Sequence, residues 1–314
     1  MQRLLSTLAI AFALAEASFA PRAGAATKLV FLHNASAAFV GLYVAEDQGY
    51  LAKRGISMEF DLAQSGAVMP PALLSGSAQI GAPTSTVLIQ AVQQGIDLVA
   101  IAGTTVYPTP AGQEGVVARD GTGIKTPKDL EGHKVGLPSL GGIFEVLMRN
   151  WVRADGGDDR KVQWVEVSIR QMADALKSGL VDAVVPVEPF YSRVLATKAG
   201  DDIGDFQKGV PAGTSPVMYV TTRAWAKAHP DLIKSVRAAL DEAIVYIENP
   251  ANASAVRASI AKYTKLPPAV AATLTMPANF APHMKPQALA FWVDAMLKQG
   301  LIAKRIDPAS LILP

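Results

Sequence analysis

The sequence predicts an α/β fold of two similar lobes joined by two chain crossings. A repeated stretch is the first sign. Residues 72–83, ALLSGSAQIGAP, return at 175–186 as ALKSGLVDAVVP, an offset of 103 residues. Over 65–83, seven of 19 positions are identical at that offset, including Ser65 with Ser168 and Met69 with Met172. Short apolar runs also alternate with helical patterns around each copy. Strands alternating with helices call for right-handed crossovers and a parallel sheet. Finally, runs such as LVAIA and AVV are apolar without alternation, which fits a sheet covered on both faces. A length of 314 residues exceeds one comfortable core, so two lobes are the default.

The N-terminus reads as a segment apart. One arginine, Arg3, precedes the 12 apolar or small residues LLSTLAIAFALA at 4–15. That run is too short for a bilayer, which needs about 20. Ala17, Ala20, Ala23, Ala25 and Ala26 follow as small residues suited to cleavage, so 1–26 is expected to be a signal peptide. The chain has no cysteine, which leaves no lipid attachment site and predicts a periplasmic protein without an anchor.

The first lobe segment is expected over 27–110. A strand in KLVFLH precedes a helix over 40–53 that Gly55 ends. MEFDL alternates apolar and acidic residues, the period of a strand. A short helix over 69–74 stops at Gly76, AQIGAP holds a short buried strand, and Thr84-Ser85-Thr86 caps a helix over 87–94. DLVAIAG is another strand. The second lobe, 111–214, repeats the order with KVGLP, a helix over 143–154, VQWVEV, a helix over 170–177, DAVVP and a helix over 191–198. Strand patterns in GVVA and VMYVTT flank the two crossings. The remainder, 215–314, is expected to return to the first lobe and continue as helices broken by proline.

In open parallel sheets, ligands bind beyond the carboxyl ends of the strands. Two such sheets facing each other across a hinge surround one cleft, and domain interfaces are where pockets concentrate. The net charge is +2, which offers no reservoir of positive charge for nucleic acid. His33, His133, His229 and His283 include no i,i+4 pair, so neither metal nor cofactor is expected. Neither a G-x-S-x-G elbow nor a phosphate loop occurs, and no catalytic residue is assigned.

Four stretches carry a resemblance: GLYVAEDQGYLAKRGISMEF (41–60), ALLSGSAQIGAPTST (72–86), KTPKDLEGHKVGLP (125–138) and ALKSGLVDAVVPVEPF (175–190). They resemble periplasmic solute-binding proteins of ABC transporters with the type II fold, in the nitrate/sulfonate/taurine group and its thiamine-precursor relatives. The resemblance implies two Rossmann-like lobes on a two-segment hinge. Such a protein closes as a monomer on a small-molecule solute and delivers it to a membrane permease. It also implies ligand contacts on the loops after the strands: Asn34 and Ser36, Gln64 and Ser65, Ser85 and Thr86, Ser139 with Gly141 and Gly142, Ser168, and Glu188. Phe39 is a candidate apolar wall, and Tyr107, in a crossing, a candidate stacking ring.

Each candidate also has a structural reading. Short hydroxyl and amide side chains at helix starts either cap the helix or face a ligand. Phe39 and Tyr107 also fit core or hinge packing, Glu188 fits a backbone hydrogen bond, and Arg170, which starts a helix at a strand end and could pair with an acidic ligand, fits a solvated surface. SLGGIF at 139–144 is the strongest anion seat, because glycines admit close backbone approach and helix N-termini favour negative charge. The expected ligand is therefore a small organic anion, sulfonate-, taurine- or carboxylate-like. A pyrimidine of the thiamine-precursor kind, held by Glu188, Gln64 and an aromatic face, is the alternative. A ligand-presenting sensor shares the same frame. The related pyrimidine-precursor synthases carry a cysteine-rich motif that this chain lacks.

Overall fold

In the computed structural model, which describes residues 26–63, 65–109, 113–188 and 190–314, the chain builds two five-stranded sheets. The expected leader, up to residue 25, and Gln64 lie outside the described residues. The first run of elements is β1 (Thr27–His33), α1 (Val40–Asp47), β2 (Ile56–Leu62), α2 (Met69–Ser75), β3 (Ile80–Gly81), α3 (Ser85–Gln93) and β4 (Leu98–Gly103). The second is β5 (Val117–Arg119), β6 (Lys134–Leu137), α4 (Ile143–Ala154), β7 (Gln163–Glu166), α5 (Met172–Lys177), β8 (Ala183–Val184), α6 (Phe190–Ala196) and β9 (Gly200–Asp202). The chain then forms β10 (Met218–Thr222), α7 (Arg223–Ala228), α8 (Pro230–Glu248), α9 (Ala253–Thr264), α10 (Pro268–Thr273) and α11 (Gln287–Lys298).

The strand orders are β2-β1-β3-β10-β4 and β7-β6-β8-β5-β9. In each sheet the first three strands pair in parallel. The duplicated stretch supplies α2 with β3 in one sheet and α5 with β8 in the other. Its Ser-Gly ends the helix both times. Gly76 (φ 77°) and Gly179 (φ 73°) take the left-handed conformation, which glycine adopts without a Cβ clash.

The sheets are mixed, not wholly parallel as the alternation of strands and helices predicts. β10 runs antiparallel to β3 and β4, and β5 antiparallel to β8 and β9. Both follow crossings. A chain arriving from the other sheet enters from the cleft side and so runs against the strands already there. The helix expected over 40–53 stops at Asp47, because Gly49 turns left-handed (φ 70°) and a separate 3₁₀ turn covers Ala52–Arg54. The outer edge of β4 is covered near its middle by the C-terminal residues, where the Leu313 N–H donates to the Ala100 carbonyl at 2.9 Å.

The two crossings lie side by side. Tyr107 donates its N–H to the Thr214 carbonyl (2.8 Å), and the Gly213 N–H returns a bond to the Tyr107 carbonyl (2.9 Å). Helix α11 packs on both α3 and α4 and so touches both halves. Its buried Trp292 donates Nε1–H to the Ser215 carbonyl at 2.7 Å. In the first sheet, Phe31, Phe39, Tyr43 and Tyr219 form an aromatic core with the buried ring of His33. Tyr43 donates its hydroxyl to the Ser36 carbonyl (3.1 Å), so His33 Nδ1–H is the donor to Tyr43 (2.9 Å) and the Asn34 carbonyl (2.8 Å). Burial lowers the His33 pKa, which keeps this ring neutral within the core.

A polar cluster sits beside the crossings. Gln207 Nε2 donates to Glu114 (2.6 Å) and to the Thr109 hydroxyl (2.6 Å). Burial, and then the nearby Asp205, push the Glu114 carboxyl up to about 8. An acid that holds its proton more tightly when folded makes the native state less stable as pH rises from its ordinary value, 4.5, toward that folded value. Glu114→Gln keeps the acceptor and removes the titration. Thermal melts should therefore show the variant gaining on the wild type from about pH 5 to about pH 8. Parallel melting curves across that window would contradict this assignment.

Candidate functional site

The loops after β1, β2 and β3 in one sheet, and after β6, β7 and β8 in the other, carry the residues expected to meet a ligand. Asn34 and Ser36 are half-buried. The Ser36 hydroxyl accepts from the Ala38 N–H (3.2 Å) and so caps the turn that follows. Phe39 is a correction. It is 1% exposed and packs edge-on against Phe31 at 5.9 Å, so it fills the core instead of lining the cleft. Tyr107 is another. Only 2% exposed, it lies 6.2 Å from the Trp292 ring and packs the hinge.

The Thr84-Ser85-Thr86 run also differs from expectation. Ser85 and Thr86 are fully buried. The Ser85 hydroxyl donates to the Ser215 carbonyl, and its N–H to the Pro216 carbonyl (2.9 Å). Thr86 lies with its hydroxyl 3.1 Å from that of Thr84. Thr84 is the cap, half-buried, accepting from the Val87 N–H at 3.4 Å. An N-cap side chain folds back over the helix end; here the next two residues pack inward against the returning crossing.

Ser65 and Ser168, the repeat mates, behave alike. Each stands at the cap position of a 3₁₀ turn leading into α2 or α5, each is exposed, and neither side chain caps its turn. Arg170 is exposed just beyond Ser168. Glu188 is half-buried in the loop after β8. Its carboxylate accepts from the Ser192 hydroxyl, and its N–H donates to the Gln113 carbonyl (2.7 Å) in the first crossing.

The loop of Ser139, Gly141 and Gly142 is the most constrained part. Gly141 is left-handed (φ 69°). Its N–H donates to Glu145 at 2.6 Å, and its carbonyl accepts from Gln90 Nε2 at 3.4 Å. Gln90 belongs to α3, so this contact joins the two halves. Gly142 begins α4 without a side-chain cap. A Cβ there would lie 2.3 Å from the Ser139 hydroxyl oxygen, so that hydroxyl rests against the first backbone unit of the helix. A hydroxyl beside an uncapped helix N-terminus suits a negatively charged group.

Below this loop runs a buried charge ladder. Glu145, 4% exposed, also accepts from Arg149 Nε (2.7 Å). Arg149 and Arg153 both donate to Asp159, which is 2% exposed. Burial raises the Asp159 pKa, but the bonds from Arg153 and Arg149 outweigh it and hold the carboxyl below its ordinary value. The i,i+4 spacing of Glu145, Arg149 and Arg153 is visible in the sequence; Gln90 leaves no such signal. Among the described residues, no group of three or more His, Cys, Asp or Glu side chains could hold a metal ion. Among the same residues no helix is long and apolar enough to cross a membrane.

Glu145 thus positions the loop. Replacing it with alanine leaves the Gly141 N–H without its acceptor and takes one carboxylate from Arg149. Denaturant unfolding should register a loss of about 1.5–3 kcal/mol, the range for a charged hydrogen bond. A stability equal to the wild type would show the ladder to be dispensable.

Comparison with known proteins identifies the family and the fold. Residues 36–253 match the family model described as NMT1/THI5 like. A candidate aliphatic sulfonates-binding protein of Escherichia coli (strain K12) is 26% identical over 206 residues, 65% of this chain. That match spans 62% of the relative's own length. The crystal structure of the periplasmic aliphatic sulphonate-binding protein of Escherichia coli superposes with a TM-score of 0.75 and 23% identity, covering 91% of this chain and 97% of the other. The alkanesulfonate-binding protein of Xanthomonas axonopodis pv. citri, bound to MOPS, gives 0.75 and 21%, covering 91% and 98%. The chain belongs to the NMT1/THI5-like family and has the periplasmic binding protein fold.

Proposed function

We propose that this protein is the extracytoplasmic solute-binding component of an ABC import system. It takes a small organic anion of the sulfonate kind between its two lobes and delivers it to a membrane permease. In this reading 27–110 and 215–314 form one lobe, 111–214 forms the other, and the leader directs a monomer to the periplasm. The protein binds and releases without catalysis. One observation carries the anion: the Ser139 hydroxyl set against the uncapped start of α4, at a Gly142 that has no room for a side chain. The reach of Gln90 to Gly141 brings the opposite lobe to the same place. Ser65 and Ser168, exposed and free of capping duty, add hydroxyls from each half of the repeat. The sulfonate ligands named for relatives of the same fold support the class.

Thermal melting against ethanesulfonate, taurine, benzenesulfonate, nitrate and an aminopyrimidine tests this. A sulfonate at 100 times its dissociation constant should add about 2.7 kcal/mol of stability. Gly142→Ala should remove that gain, because its Cβ displaces the Ser139 hydroxyl. A response to the aminopyrimidine alone, or to none of the panel, would overturn the reading.

A further inference from the structure

Away from the cleft lies a cavity of about 280 Å³ between the second half of α4, the segment after β9, and α11. This is just under the about 300–1,000 Å³ usual for small-ligand sites. Its walls are apolar and largely aromatic: Trp151 of α4, Phe206 and Val210 of the connecting segment, and Phe291 of α11. Phe206 is 1% exposed and Trp151 8%, so their rings are held in place by the fold.

Among the described residues, the charged side chains that line it are all of one sign. Arg153, Lys208 and Lys298 line the cavity, and no carboxylate does. Arg153 is engaged by Asp159. Lys208 and Lys298 are exposed and have no ion-pair partner among the described residues. An apolar slot with two unpaired lysines at its rim, and no carboxylate among its described lining residues, matches a ligand with an apolar body and one anionic head.

We infer that this cavity is a second binding site, distinct from the cleft, for an amphiphilic organic anion such as an aryl sulfonate or aryl carboxylate. The site touches the hinge through its walls. Phe291 stacks edge-on with Trp292 at 5.2 Å, and Trp292 holds the Ser215 carbonyl of the returning crossing. Val210 precedes the Gly213–Tyr107 bond that joins the crossings. Occupancy therefore bears on the same α11 that spans both halves.

The test is calorimetric titration of the full chain with 2-naphthalenesulfonate. Two variants locate the site. Ala154→Trp alters an exposed lining residue at the end of α4 and closes the mouth. The double variant K208A/K298A removes the rim cations and leaves the core untouched. Binding should be lost in A154W and weakened about ten-fold or more in K208A/K298A, ten-fold corresponding to 1.4 kcal/mol. The neutral 2-naphthalenesulfonamide should bind the wild type more weakly than the anion. Ethanesulfonate should stabilise A154W as it does the wild type, which separates this site from the cleft. An absence of binding to the wild type at millimolar concentration would overturn the proposal. So would equal affinity in the wild type and both variants, which would place the probe elsewhere.

Discussion

Neither sheet can be completed without the chain crossing between them. β10 lies between β3 and β4, and β5 between β8 and β9. Among the described residues, removing β10 leaves β4 without a strand neighbour in the first sheet, and removing β5 does the same to β9. Each of these strands arrives directly from a crossing, so sheet pairing fixes where the two crossings begin and end. Backbone hydrogen bonds buried in a sheet cannot be left unmade without a cost of about 1–3 kcal/mol each. Any relative motion of the halves must therefore be absorbed in the short spans between sheet strands, where Tyr107 and Gly213–Thr214 pair.

That constraint reaches the cleft through α3. Its first residue, Ser85, is bound by main chain and side chain to Pro216 and Ser215 of the returning crossing. The Ser215 carbonyl receives Trp292 of α11 as well, which uses both of its lone pairs in the buried interior. One oxygen thus ties together a cleft helix, a hinge strand and the helix that spans both halves. Ser65, Ser139 and Ser168 carry hydroxyls with no such structural claim on them among the described residues. Buried hydroxyls need partners in the protein; the proposed function gives these three to the solute.

Much of this frame is legible in the sequence because duplication and hydrophobic period are local signals. The helix over 143–154 and the helix-stop at Gly76 are readable from pattern alone, and the repeated Ser-Gly marks the matching place at Gly179. The direction of β5 and β10 is not readable, since an apolar run looks the same whichever way it pairs. β9 escaped because Gly200-Asp201-Asp202 has no apolar residue to mark it. The site was harder still. Phe39, Ser85, Thr86 and Tyr107 sit in segments next to the strand ends, but burial, which sequence does not reveal, assigns them to core and hinge. Gln90 and Glu145 matter through partners in other elements, Gly141 above all. Only the charge spacing of Glu145, Arg149 and Arg153 offered a clue.

In the proposed function, two sheets, each finished by a crossing strand, close on a solute between them. Small-angle X-ray scattering of the full chain with and without saturating ethanesulfonate tests it most directly. A smaller radius of gyration and a shorter maximum dimension in the presence of the sulfonate are the predicted result. Identical scattering profiles, at a ligand concentration shown by calorimetry to saturate the protein, would contradict it.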